Sequence, residues 1–216
     1  MSSSGHLVLL GSPDKAFEVF LHAGTAAALL IALPRPRPTP LAALTLAPAA
    51  LAGLTLEKPI ERRLGKRAVV FGQVVGGLGL LLADRAPARR PREDAGPRDA
   101  VLIGLAQALA LVPGVSRNGA TLTAARLLGF ERDAANRISR DAALPIIAGA
   151  TALKLARRRE PVATPANAAG FAAAFASGLV AARLVPRIDG LRSYSPFGLY
   201  RIALGLIAAR SASMGA

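Results

Sequence analysis

Apolar residues are concentrated in five stretches of the chain that contain no Lys, Arg, Asp or Glu. These stretches are residues 19–34, 38–56, 68–83, 100–116 and 161–182. A helix that crosses the hydrocarbon core of a bilayer needs about 20 mostly apolar residues, so each stretch is long enough to form a span or most of one. Two shorter runs, residues 142–153 and 202–209, are candidates for the centres of further helices. The pattern predicts an all-α, polytopic membrane protein.

The connections between these stretches are rich in Pro, Arg and Gly. They cover residues 34–40, 57–67, 84–99 and 154–161. Proline removes a backbone donor and clashes with the preceding turn, so these segments are predicted to be loops or helix ends. The resulting map places helices near residues 16–33, 41–56, 68–83, 100–112, 120–130, 134–156, 167–186 and 197–210.

Composition adds a strong positive charge to this hydrophobic pattern. The 216 residues include 27 Lys and Arg against 13 Asp and Glu, a formal net charge of +14, and the mean hydropathy is +0.41. The basic residues lie in successive loops, at both ends of the predicted spans. The positive-inside rule therefore does not decide the orientation of the protein in the membrane. We expect them to solvate helix ends and bind anionic lipid headgroups. A nucleic-acid partner is not expected, because the few aromatic residues lie mostly inside apolar segments.

Cysteine and histidine limit the chemistry that the chain can perform. With no Cys and two His, disulfides, thiolate metal sites and multi-histidine metal clusters are excluded, and no metal ligands are assigned.

Two segments are small, polar and glycine-bearing, yet they adjoin apolar helices. They read SSSGH at residues 2–6 and PGVSRNGATLT at residues 113–123, and each is followed by Leu-Leu-Gly. Paired interruptions of this kind are typical of inverted-repeat membrane folds with discontinuous, re-entrant helices. We therefore predict a single domain over 1–216, with repeat one at about 1–83, a loop at 84–99 and repeat two at about 100–210. Because irregular backbone at membrane depth must be buried or line a cavity, both segments should line one site.

The second segment has the chemistry of an anion site. Its glycines let the backbone approach a ligand closely, its hydroxyls donate, and a helix beginning near Ala120 would direct its positive dipole end at the same place. Arg117 adds a fixed cation suited to phosphate, and an arginine inside an apolar segment is costly without a function. The candidate binding residues of this segment are Gly114, Ser116, Arg117, Asn118, Gly119 and Thr121.

The first segment supplies His6 and three serine hydroxyls, a set that provides a nucleophile or a proton donor. Its candidate residues are Ser2, Ser3, Ser4, Gly5 and His6. Together the two segments favour hydrolysis of a phosphate ester or anhydride carried by a membrane-soluble substrate. Structural roles remain open, because Ser and Thr in membrane helices often bond their own backbone. Glu18 and His22, one turn apart, could join helices or support the site.

Five stretches carry a family resemblance that extends from residue 2 to about 208. They are SSSGHLVLL, AFEVFLHAGTAAALL, LEKPIERR with VVGGLGLLLADR, LALVPGVSRNGATLTAARLLGF and FGLYRIALGLI. The chain resembles the bacterial undecaprenyl-diphosphate phosphatase family of the bacitracin-resistance type. The resemblance implies a multi-pass enzyme of the bacterial inner membrane that converts undecaprenyl diphosphate to undecaprenyl phosphate for cell-wall synthesis.

The resemblance also implies residue roles. Ser3 and His6 match the nucleophile or acid-base residues, with the choice between them open, and Arg117 with Ser116 and Thr121 matches the diphosphate-binding residues. Family members carry an additional apolar helix ending in a glutamate-rich motif, E-G-x-T-E-F-L-P-V, before SSSGH, which implies a divalent cation, Mg or Ca. Those ligands are absent from this sequence. We expect an in-frame upstream extension of about 20–30 residues, enough for one helix across the core.

Two other functions fit the same residues. A lipid-carrier transporter or flippase would also place an anion site between inverted repeats. An inactive paralogue would bind the lipid without turnover. The oligomeric state is open between a monomer and a homodimer.

Overall fold

The structure of the protein is a computed structural model that describes residue 6 and residues 15–34, 38–156, 164–189 and 193–213. This part of the chain forms eight α-helices and no strand longer than an isolated bridge. The helices are α1 (Lys15–Ala32), α2 (Pro40–Arg63), α3 (Lys66–Arg85), α4 (Pro97–Ala108), α5 (Arg117–Leu127), α6 (Arg132–Ala156), α7 (Pro165–Asp189) and α8 (Ser195–Ser213). The predicted all-α fold and all eight predicted helices are confirmed.

Three helices are long and apolar enough to cross a membrane, at Pro40–Ile60, Arg67–Arg85 and Pro165–Leu184, and a shorter apolar helix covers Phe17–Ala32. Large apolar side chains on these helices remain open to the surroundings, for example Leu51, Phe71 and Val180. Exposed apolar faces of this size suit lipid rather than water. The protein is therefore a polytopic membrane protein, as predicted.

One helix is longer than the predicted range 41–56, and segment 57–67 is largely a helix end. Helix α2 continues through residues 57–63 and is followed after only two residues by α3, although Pro59 lies inside it. The Nζ atom of Lys154 on α6 lies 3.5 Å from Oε1 of Glu57. This ion pair ties the extended end of α2 to the bundle, which explains how tertiary contact outweighs the proline. Glu57 is thus paired rather than only solvated.

The helices pack in pairs. Helix α1 packs on α7, α3 on α8, and α2 on α4, while α3, α4 and α6 contact α5. Within α1, His22 Nε2 lies 3.4 Å from Glu18 Oε1, so these two residues contact each other along the helix. A buried cluster forms where α3, α4 and α5 meet the start of α8. Its larger members are Leu80, Ile103, Leu122, Phe130 and Tyr194.

Helices α4 and α5 form a hairpin whose two ends are joined by backbone hydrogen bonds. The amide of Arg90, before α4, donates to Gly129 O at 2.9 Å, and the amide of Glu131, after α5, donates to Arg90 O at 2.9 Å. An 11-residue helix such as α5 is about 17 Å long, roughly half of a hydrocarbon core of about 30 Å. A hairpin of this length is compatible with the predicted re-entrant geometry, and its depth in the membrane stays a prediction. The predicted relation between the two repeats stays a prediction, because most of residues 1–14 lie outside the described part.

Ion pairs hold the loop before α4 in place. Arg90 binds Asp99 through two contacts, Nη1–Oδ1 at 3.1 Å and Nη2–Oδ2 at 2.8 Å, and Arg132 Nη2 lies 2.8 Å from Asp84 Oδ1. Arg92 pairs with Asp141 on α6. These arginines do more than solvate helix ends, because they lock the base of the hairpin to the rest of the bundle.

Candidate functional site

The tip of the hairpin is the N-terminus of α5. The Oγ atom of Ser116 accepts a 3.2 Å hydrogen bond from the amide of Gly119, which makes Ser116 the N-cap. The helix therefore begins at Arg117, three residues before the predicted start near Ala120. The amides of Arg117 and Asn118 have no intrahelical acceptor and carry the positive end of the helix dipole, so they favour an anion.

Gly114 shapes the loop that leads into this helix. Its φ angle is +88°, a left-handed conformation that residues with a Cβ rarely adopt. A Cβ at this position would also lie 2.3 Å from the carbonyl oxygen of Val69 in α3. The loop thus rests directly on the backbone of α3, where only glycine fits. The predicted reason for this glycine was close approach to a ligand, which stays a prediction; the close approach that the structure shows is to α3.

Arg117 is the cation of this tip. It is the sole charged residue between Ala100 and Ala125. Its Nη1 donates a long 3.4 Å hydrogen bond to Ser139 O, and among the described residues it forms no ion pair with a carboxylate. A charge at membrane depth is costly unless an anion compensates it. The guanidinium is therefore available for a ligand.

A hydroxyl network fixes the first turn of α5 to α6. The Oγ1 of Thr121 lies 2.5 Å from Ser139 Oγ and 3.0 Å from Arg117 O, its acceptor. Ser139 Oγ donates to Asn118 Oδ1 at 2.7 Å. Thr121 and Ser139 are fully buried, so the Thr121 hydroxyl is already bonded within the protein. Its direct role in substrate binding stays a prediction, and Ser139 is a member of the site region that the sequence reasoning did not single out.

His6 lies against the last helix. Its Nε2 is 2.8 Å from the hydroxyl of Tyr200, and the two rings stack with centroids 5.9 Å apart and planes 12° apart. Ser2, Ser3, Ser4 and Gly5 lie outside the described residues, so their predicted roles stay predictions. Tyr200 was not predicted. Its only signal in the sequence is a position beside an arginine in an otherwise apolar helix.

Arg201, the next residue of α8, binds the hairpin tip. Its Nη2 donates to Gly72 O and to Gly114 O, both at 2.9 Å, and the residue is 1% exposed. Sequence reasoning missed it because Arg201 stands at the border of the apolar run 202–209. Arg201 nevertheless lies inside the predicted helix 197–210, which is mostly apolar. Applied to that whole helix, the criterion that identified Arg117 would also have identified Arg201.

Helix α8 contacts both polar segments, through an exposed residue on one face and a buried residue on another. Tyr200 binds His6 from the first polar segment, and the adjacent Arg201 binds the loop of the second. That the two segments line one site stays a prediction, because the structure describes only His6 of the first segment. In the described part of the chain no three His, Cys, Asp or Glu residues form a group that could bind a metal ion.

Comparison with known proteins gives a consistent result. The bacitracin resistance protein BacA family matches residues 1–207. A Geobacter sulfurreducens protein named undecaprenyl-diphosphatase is 41% identical over 240 residues, covering 95% of this chain and 89% of that protein. A Thermomicrobium roseum protein of the same name is 38% identical, covering 96% and 90% of the two chains. The chain belongs to the bacitracin resistance protein BacA family.

Proposed function

We propose that the protein is a membrane hydrolase that removes the terminal phosphate of undecaprenyl diphosphate. The product, undecaprenyl phosphate, carries cell-wall precursors, and its regeneration confers bacitracin resistance. The observation that supports this most directly is Arg117, an arginine without a carboxylate partner in the described structure, at the N-terminus of a re-entrant helix. Relatives named undecaprenyl-diphosphatase support the choice of substrate.

In this proposal one set of residues binds the diphosphate and another supplies the nucleophile and the acid-base residue. Arg117 and the free amides of the α5 N-terminus bind the diphosphate oxygens and stabilise negative charge that develops during reaction. A nucleophile attacks the terminal phosphorus, the bond from that phosphorus to the bridging oxygen breaks, and the lipid phosphate leaves with the bridging oxygen. His6 or Ser3 is the nucleophile or the acid-base residue, and the Tyr200 hydroxyl orients the imidazole. Water supplies the oxygen of the released phosphate.

The cofactor and assembly are part of the same proposal. A divalent cation, Mg or Ca, is proposed from the family resemblance alone, and the described residues offer no ligand group for it. No step above depends on the cation. We place the enzyme in the bacterial inner membrane, as a monomer or a homodimer.

Phosphate release from undecaprenyl diphosphate by purified protein in detergent tests the proposal. Detergent micelles have no two compartments, so a transporter gives no signal in this assay. We expect stoichiometric phosphate and undecaprenyl phosphate to appear together. A preparation that binds the lipid but releases no phosphate, with Mg or Ca present, would contradict the hydrolase proposal and favour the inactive-paralogue alternative.

A further inference from the structure

Two arginines without carboxylate partners in the described structure adjoin the first turn of α5: Arg117 begins the helix, and Arg201 packs against Gly119. Neither Arg117 nor Arg201 forms an ion pair with an acidic residue in the described part of the chain. Arg201 bonds only main-chain carbonyls, those of Gly72 and Gly114, and its Nε is buried without an acceptor. Burying a cation in this way is costly unless something negative compensates it.

The space for the Arg201 guanidinium is created by glycines. A Cβ at Gly76 of α3 would lie 2.2 Å from Nη2, and a Cβ at Gly119 of α5 would lie 2.8 Å from Nη1. Gly119 belongs to the first turn of α5. The guanidinium is thus packed directly beneath the helix N-terminus that offers its amides to an anion.

We infer that Arg201 is a positioning residue that makes the site select a diphosphate over a monophosphate. The inference rests on the proposed function. Because Arg201 is 1% exposed, it acts without touching the substrate, through two effects. Its hydrogen bond fixes the Gly114 carbonyl and hence the loop, and its charge lies beside Gly119 in the first turn of α5.

The charge effect explains the selectivity. In a poorly screened interior, the attraction between a fixed cation and a ligand is proportional to the charge of the ligand. Pyrophosphate carries more negative charge than phosphate, so a second cation stabilises it to a greater extent. The substrate therefore gains more from Arg201 than the monophosphate product does, which favours product release.

The test compares the affinities of inorganic pyrophosphate and inorganic phosphate for purified protein, measured by calorimetry in detergent. We expect the unmodified protein to bind pyrophosphate more tightly. In Arg201→Met, pyrophosphate affinity should fall at least tenfold and phosphate affinity about threefold or less, so that selectivity declines. Arg201→Lys keeps the charge and should recover much of the selectivity.

Arg126 provides the matched control. It is also buried, at 3% exposure, and also bonds main-chain carbonyls, those of Ala83, Ala86 and Phe130. It lies at the opposite end of α5. Arg126→Met should lower the thermal midpoint and leave the ratio of pyrophosphate to phosphate affinity unchanged, which separates loss of stability from loss of selectivity.

Three results would overturn the inference. They are a folded Arg201→Met variant with unchanged selectivity, an equal loss of selectivity in Arg126→Met, and no pyrophosphate binding by the unmodified protein. If Arg201→Met fails to fold, Arg201→Gln decides, because glutamine removes the charge but keeps a donor for a carbonyl. Unchanged selectivity in folded Arg201→Gln would contradict the inference. If the unmodified protein selects pyrophosphate but releases no phosphate from the lipid, the proposed function fails and this inference stands.

Discussion

The hydroxyl of Tyr200 lies 2.8 Å from Nε2 of His6, although 194 residues separate them along the chain. This contact joins the N-terminal polar segment to α8, whose next residue, Arg201, binds the Gly114 loop. If His6 acts on the substrate as proposed, this contact would set the orientation and tautomer of its imidazole.

Tyr200→Phe removes this hydrogen bond and retains the ring stacking. We expect kcat to fall about 3- to 10-fold, because one hydrogen bond contributes about 1 kcal/mol, with KM for undecaprenyl diphosphate little changed. Steady-state phosphate release measures both constants. A rise in KM with an unchanged kcat would contradict an orienting role.

His6→Ala should lower kcat by about a hundredfold or more if the imidazole transfers a proton. If the imidazole is the acid or base, the variant should also lose one limb of the pH-rate profile. Thermal unfolding serves as the control for folding. A folded variant with the original rate and profile would leave His6 with only its structural contact to Tyr200.

Arg117→Ala should abolish diphosphate binding and turnover together, with a loss of about a hundredfold or more, because two charge-assisted hydrogen bonds disappear. Arg117→Lys keeps the charge but loses the planar fork, so only part of the affinity should return. Lipid-phosphatase assays and pyrophosphate titration measure the two effects. A fully active alanine variant would exclude the hairpin tip as the phosphate site.

Gly76→Ala in α3 should displace the guanidinium of Arg201. The added methyl would lie 2.2 Å from Nη2 and 2.7 Å from Cζ of the guanidinium, which must move. We expect pyrophosphate affinity to fall about tenfold, because the displaced guanidinium no longer supports the anion site. Gly53→Ala in α2, where no atom lies within 4 Å of the added Cβ, is the matched control and should keep the original affinity.

The Arg90–Asp99 pair should make stability depend on pH. Hydrogen bonds from the Arg90 guanidinium hold the pKa of Asp99 below its ordinary value of 3.8, despite the opposing effect of burial. A carboxylate whose pKa is depressed by folding stabilises the protein above its unfolded pKa, and this stabilisation is lost as the pH falls through the folded pKa. Asp99→Asn should therefore lower the thermal midpoint at pH 7, and the difference should shrink below about pH 4. A difference that stays constant down to about pH 2 would contradict this ionic role.

The sequence by itself determined the membrane class, the eight helices and the break near Gly114. These features follow from local composition, since charge-free stretches set the helices and proline and glycine interrupt them. Arg117 could also be recognised locally, because a lone charge in an apolar segment is visible without a structure.

Only the tertiary structure decided which distant groups meet at the site. Arg201 binds carbonyls 129 and 87 residues away, and the Ser139 hydroxyl becomes part of the α5 terminus only because α6 packs against it. Likewise, Glu57 near the end of α2 pairs with Lys154 only because α6 lies beside it. Such pairings are selected by packing in three dimensions, and hydrophobic periodicity along the chain carries no information about them.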